Sequence, residues 1–189
     1  MSESKNIILF QPRAGSWDFV GTRLPEALLV ISAIPVNEGY KITFIDQRLE
    51  NDWKEKLISE LKKDPILFGL GCMTGPQINY AIEVSEIVKE FNKDIPVMWG
   101  GLHPTLLPLQ TLKHPNVDIV IFGDGEFPFI NLIHMLEKKG DLKEVKGIGF
   151  KNKEGKITIN PKEEILRDLD ILPDLPYHLV AVKKYYAMH

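Results

Sequence analysis

Short apolar runs with little polar alternation recur along the chain: NIILF near its start, ILFGLG at 66–71, IPVMW at 95–99 and VDIVIF at 117–122. A strand wetted on one face alternates apolar and polar residues, whereas a strand covered on both faces reads as a nearly continuous apolar run. Stretches of helical period lie between these runs, most clearly at 77–91, where Ile78, Ala81, Ile82, Val88 and Phe91 fall on one side. Strands alternating with helices over short connections define a doubly wound sheet. The sequence therefore predicts an α/β fold, flavodoxin-like or Rossmann-like, of about five parallel strands at 5–10, 40–45, 66–71, 95–99 and 117–122.

The predicted helices start at Pro25, suited to a first helical turn, and at 52–63, 77–91, 106–113 and 127–138. Pro35 is expected to kink or end the first of them, and Gly39 to stop it. The loop QPRAGSWDFVGTR follows the first strand. After the last helix, VKGIGFKNKEGKITIN reads as a hairpin turning at Glu154-Gly155, and the proline-punctuated remainder as an extended connector. The expected division is 1–142 for the α/β domain, 143–160 for the hairpin extension and 161–189 for the connector.

Composition narrows the partners. The chain has 189 residues, a net charge of -3 and no dense basic patch, so nothing favours nucleic acid. Its apolar runs are too short to span a membrane, and its start lacks the features of a secretory signal. A single cysteine, Cys72, excludes internal disulfides and cysteine-only metal sites, and a reducing cytoplasm is the expected compartment.

Ligands of open parallel sheets bind beyond the carboxyl ends of the strands. The loops there read QPRAGSWDF, GCMTGPQ, GGLHPTLLP and GDGEFPF. Three of them are rich in Gly, Pro, Thr or Ser and poor in charge, a composition that offers backbone groups to a large neutral ligand. The glycine fingerprint of dinucleotide folds is missing after the first strand, and no Walker-type phosphate loop occurs. Nor is there an acidic phospho-acceptor cluster. Without that fingerprint, Asp46 is a weak candidate for a ribose contact. Gly123 and Gly125 form either a backbone nest or a plain strand-to-helix turn, and Glu126 suits a helix cap as readily as a ligand contact. Trp99 reads as core.

In their order, GCMTG, GGLHPTLLP and GDGE resemble the N-terminal cobalamin-binding domain of cobalamin-dependent radical S-adenosylmethionine (SAM) enzymes. DLDILPDLPY resembles that family's connector into the radical SAM barrel. The resemblance spans about residues 5–186. It implies that cobalamin lies on the carboxyl edge of the sheet with its nucleotide tail inserted into the domain. Gly100 and Gly101 would let a loop pass close to the tail. Cys72, Met73, Thr74 and Gly75 would lie beneath the corrin or beside the tail, with His103, Pro104 and Thr105 on the side of Gly101. Gly123, Gly125 and Glu126 would supply the far wall, and Arg13 with its neighbours the near wall. Related mutase domains carry a cobalt-ligating His after the first strand; QPRAGSW has none, which implies base-off binding without a His lower ligand. Cys72 is read as lining or buried rather than as a cobalt ligand, and the KKYY segment as packing on an absent domain. Three cysteines for a [4Fe–4S] cluster are missing. The chain is thus expected to be non-catalytic alone, and either a piece of a longer SAM-dependent enzyme, methyltransferase-like, or a stand-alone relative. The alternative reading is a non-catalytic α/β module for a partner domain or a nucleotide-like ligand.

Overall fold

Seven strands form one sheet in the order β2-β1-β3-β4-β5-β6-β7 in the computed structural model, which describes residues 5–20 and 23–186. The strands are β1 (Asn6–Gln11), β2 (Lys41–Asp46), β3 (Leu67–Gly71), β4 (Val97–Gly100), β5 (Ile119–Ile121), β6 (Ile148–Lys151) and β7 (Ile157–Ile159). The first five pair in parallel, and the β6–β7 hairpin continues the sheet antiparallel to β5. The parallel part has the order 2-1-3-4-5, in which consecutive connections leave β1 in opposite directions. That reversal opens a crevice above β1 and β3.

Two helical layers cover the sheet, and the pleat sends alternate residues of each strand into one or the other. Ile7 and Leu9 pack with Leu28 of α1 (Glu26–Asn37) and with Phe129 and Ile133 of α6 (Glu126–Glu137). Ile8 and Phe10 face Trp53 and Leu57 of α2 (Trp53–Leu61) and Ala81 and Val84 of α3 (Gln77–Phe91). Trp99 is buried there, and its indole N–H donates to Ser85 Oγ at 3.0 Å.

Several local expectations change. Pro35 lies inside α1, which runs on to Asn37. It removes only the N–H that would have bonded the Ile31 carbonyl, and its own carbonyl accepts from Tyr40 N–H while Val36 O accepts from Gly39 N–H. With Gly39 at φ +86° this is a Schellman stop, placed where the glycine predicts it. The helix expected at 106–113 is two short ones, α4 (Leu102–Leu106) and α5 (Pro108–Leu112), because Leu107 leaves helical geometry between them and Pro108 opens the second. The loop after β1 contains a 3₁₀ segment, Gly15–Val20, drawn in by the Asp18 carboxylate accepting from Ala14 N–H; Gly21 and Thr22 lie outside the described residues. The terminal segment contains 3₁₀ turns at Leu169–Ile171 and Tyr177–Leu179 and a short helix, α7 (Val182–Tyr186). Tyr185 folds back onto the chain's own β2 end, 5% exposed, while Tyr186 is solvent-exposed; residues 187–189 lie outside the described residues.

Candidate functional site

The crevice above the switch contains two cavities that meet. The larger, about 700 Å³, is bounded by Gln11, Ala14 and Asp18 after β1, by the stretch Arg23–Leu28, by Arg48, and by Cys72, Met73 and Gln77 beyond β3. The smaller, about 310 Å³, is a slot between α1 and the β5–α6 turn. Leu28 and Ile31 form its near side, Met98 and Ile121 its floor, and Gly123, Asp124, Gly125 and Glu126 its far side. Ala27, Leu28, Gly71 and Gly101 line both. Each volume falls in the range of small-molecule sites, and both are walled mainly by apolar side chains and backbone.

Two glycines keep the junction open. A Cβ on Gly71 would come no nearer than 3.6 Å, to Leu28, and one on Gly100 no nearer than 3.9 Å. Neither position is crowded, so a side chain would fit at either and take up space in the crevice that both line. Gly101 has a different reason. It has φ +92°, and a Cβ there would lie 3.0 Å from the Cys72 carbonyl oxygen. The loops after β3 and β4 are laced together at this point: Cys72 N–H donates to Gly100 O at 2.8 Å, and His103 N–H donates to Cys72 O at 2.9 Å.

Of the residues singled out from sequence, Cys72, Met73, Gly100, Gly101, Gly123, Gly125 and Glu126 line the crevice. Met73 is 56% exposed, whereas Cys72 is almost fully buried, and burial pushes its thiol pKa up to about 12. The others stand behind it. His103 is buried, its Nδ1 lies 3.2 Å from Thr74 Oγ1, and burial lowers its pKa. Pro104 is buried beside it, and Gly75 is exposed at the start of α3. Thr105 Oγ1 accepts from Gly123 N–H at 3.1 Å, tying the β4 and β5 loops together. Arg13 turns to the β2 side, where its N–H and Nε donate to Gln47. Glu126 opens α6, where a carboxylate suits the helix's positive end, but makes no capping bond.

The sequence reading misses the α1 wall, Gln77 and Arg48. Gln77 is 5% exposed; it donates to Pro12 O at 3.0 Å and accepts from Met73 N–H at 2.7 Å, which fixes the loops on either side of the switch. The signal for α1 is in its composition: residues 27–36 carry no charge. A surface helix has a polar face, so one without it has something apolar on both sides. Asp46 has no capacity left for a ribose, since its carboxylate holds Arg48 and Tyr185. Among the described residues, no helix is long and apolar enough to cross a membrane, and no group of three or more His, Cys, Asp or Glu is placed to hold a metal ion.

Fold and crevice together define the class: a flavodoxin-like domain with an open, two-part crevice at its switch point. A family model described as "B12 binding domain" matches residues 21–133. The chain belongs to the B12-binding domain family. A methyltransferase of Pyrococcus horikoshii, described as uncharacterized, is 31% identical over 170 residues, covering 89% of this chain and 37% of its own. The anaerobic magnesium-protoporphyrin IX monomethyl ester cyclase of Rubrivivax gelatinosus is 30% identical over 170 residues, covering 85% of this chain and 30% of its own. The chain thus spans about a third of the length of these relatives. Among solved structures, the radical SAM methyltransferase TsrM from Kitasatospora setae, with cobalamin and a [4Fe-4S] cluster bound, superposes with a TM-score of 0.71 at 19% identity, over 92% of this chain and 32% of that one. The cobalamin-dependent SAM radical enzyme OxsB, with aqua-cobalamin and SAM bound, gives 0.71 at 24% identity, over 86% and 23%. At these identities the likeness shows the fold.

Proposed function

We propose that the crevice holds cobalamin, with the nucleotide tail in the slot between α1 and the β5–α6 turn and the corrin over the larger cavity. One observation carries this assignment: a wide cavity and a narrow slot, joined at Gly71, match a broad macrocycle with a single appended base. The residues fit such a guest. Gly71 and Gly100 leave room where side chains would stand, Leu28, Ile31, Met98 and Ile121 exclude water from an aromatic base, and Asp124 and Gly125 offer backbone N–H groups to the tail while that of Gly123 is held by Thr105. Of the residues proposed from sequence, Cys72, Met73, Gly100, Gly101, Gly123, Gly125 and Glu126 contact the cofactor, while Thr74, Gly75, His103, Pro104 and Thr105 shape the loops behind them. Arg13 secures the near wall through Gln47.

The binding mode is base-off, without a lower His ligand. This is supported by the absence of a histidine from both cavities among the described residues, and by the Cys72 thiol, which burial keeps protonated at neutral pH. Bound cobalamin supplies a cobalt centre that carries a methyl group or assists a radical made from SAM. The [4Fe–4S] cluster that cleaves SAM needs thiolates from outside these 189 residues, which contain one cysteine. The division into 1–142, 143–160 and 161–189 is retained as a proposal, with the hairpin completing the sheet of the first part and the last part leading to a radical SAM domain of the same polypeptide. The whole enzyme is then a methyltransferase or a radical-rearrangement catalyst.

Titration of the purified chain with hydroxocobalamin tests this reading, followed by the visible spectrum and by co-elution in gel filtration. Binding at micromolar protein is expected. Gly71→Val places two methyl groups at the junction in a backbone conformation any residue adopts, and is expected to weaken binding at least tenfold with unchanged circular dichroism. Absence of any spectral change with the unaltered chain overturns the assignment.

A further inference from the structure

Asp46, Arg48 and Tyr185 form a buried cluster between the larger cavity and the C-terminal helix. Arg48 donates to both Asp46 oxygens, Nε to Oδ1 at 2.9 Å and Nη2 to Oδ2 at 2.6 Å, and Nη2 also donates to the Arg23 carbonyl at 3.0 Å. Tyr185 hydroxyl donates to Asp46 Oδ2 at 2.7 Å from 139 residues away, and its ring lies 5.8 Å from the Arg48 guanidinium carbon. The Arg48 and Asp46 side chains are 11% and 3% exposed.

Arg48 uses three of its five N–H donors in this cluster. Among the described residues its Nη1 has no hydrogen-bond partner, yet the side chain lines the larger cavity. A guanidinium anchored on the Asp46 carboxylate, with Nη1 left over and the side chain on a cavity wall shared with Asp18, can donate to an oxygen acceptor there. The periphery of a corrin is ringed with carboxamide side chains, whose carbonyl oxygens are such acceptors.

Resting on the cobalamin reading, we propose that Arg48 is a cofactor-contacting residue donating through Nη1 to a carboxamide oxygen, and that Asp46 and Tyr185 are its positioning residues, so that cofactor binding and docking of α7 reinforce each other. The physical basis is shared geometry. Tyr185 holds Asp46, Asp46 holds the guanidinium plane, and a contact made at Nη1 stabilises the same arrangement from the other side. Burial and the Asp46 charge raise the Tyr185 pKa, which keeps the hydroxyl a donor through the neutral range. Coupling of this kind is reciprocal: whatever factor the docked helix adds to cofactor affinity, the cofactor adds to helix docking.

Tyr185→Phe tests this, because it keeps the ring and removes only the hydroxyl. The dissociation constant for hydroxocobalamin is expected to rise about fivefold. Hydrogen exchange across 177–186 is expected to slow by a similar factor when the unaltered chain is saturated with hydroxocobalamin, and not in the variant. Arg48→Lys keeps the charge but loses the fork, and is expected to weaken binding further. Unchanged affinity in Tyr185→Phe, or unchanged exchange on saturation, overturns the coupling while leaving the cofactor assignment standing. Failure of the unaltered chain to bind removes both.

Discussion

The Cys72 side chain is buried in the apolar cluster beneath α3, with its S–H directed at the Met73 carbonyl. Burial pushes its pKa up to about 12. Only the thiolate attacks alkylating reagents, so Cys72 is expected to resist iodoacetamide at pH 8 until urea unfolds the chain, as a labelling time course would show. The same shift gives stability a slope. Above about pH 8.5 an unfolded thiol loses its proton, whereas the folded one keeps it to about 12. The unfolded state then binds fewer protons, so stability falls with rising pH in that window. Cys72→Ala is expected to flatten the onset between about pH 8.5 and 10 in urea titrations. His103 acts at the acid end: burial lowers its pKa, the unfolded state binds the extra proton, and stability falls as pH drops below about 6.5. The presence of Cys72, His103 and the loop glycines near the strand ends was legible in sequence, because loop position follows from strand position. Which of them face the crevice was not. Orientation there depends on long-range bonds such as Cys72 N–H to Gly100 O, and no periodicity encodes these.

Helix α1 illustrates what a single element contributes. It packs Leu28 and Leu29 inward and turns Ala27 and Ile31 to the slot, which explains its missing polar face. Its end is set by Gly39, where a Cβ would meet nothing within 4 Å, so the only obstacle to a side chain is φ +86°. Gly39→Ala is therefore expected to destabilise by about 1–2 kcal/mol in urea denaturation, the cost of a left-handed backbone for an L-residue. Gly71→Val differs, since the backbone there suits any residue and the larger effect is expected in the cobalamin titration rather than in urea denaturation. Sequence reading located α1 and its stop; of the two outcomes expected at Pro35, termination does not occur, since a proline in the last turn forfeits one bond while the Schellman bonds around it are made regardless.

For the molecule as a whole, the hairpin is part of the sheet and not an appendage. β5 is three residues long, with β4 on one side and β6 on the other, through Ile119 opposite Phe150 and Ile121 opposite Ile148. A chain ending at residue 142 would leave that apolar strand with an open edge, a template for intermolecular pairing. It is expected to elute as aggregates in gel filtration where the longer chain is monodisperse. The alternation of strands and helices made the parallel core readable from sequence; the placement of the hairpin was not, because a hairpin's own turn signals do not say which edge it joins. The junction of the two cavities at Gly71 carries a consequence for what the domain admits. If the slot takes the nucleotide as proposed, a corrinoid stripped of its nucleotide has one compartment to occupy instead of two, and is expected to bind more weakly than the complete cofactor in the same titration.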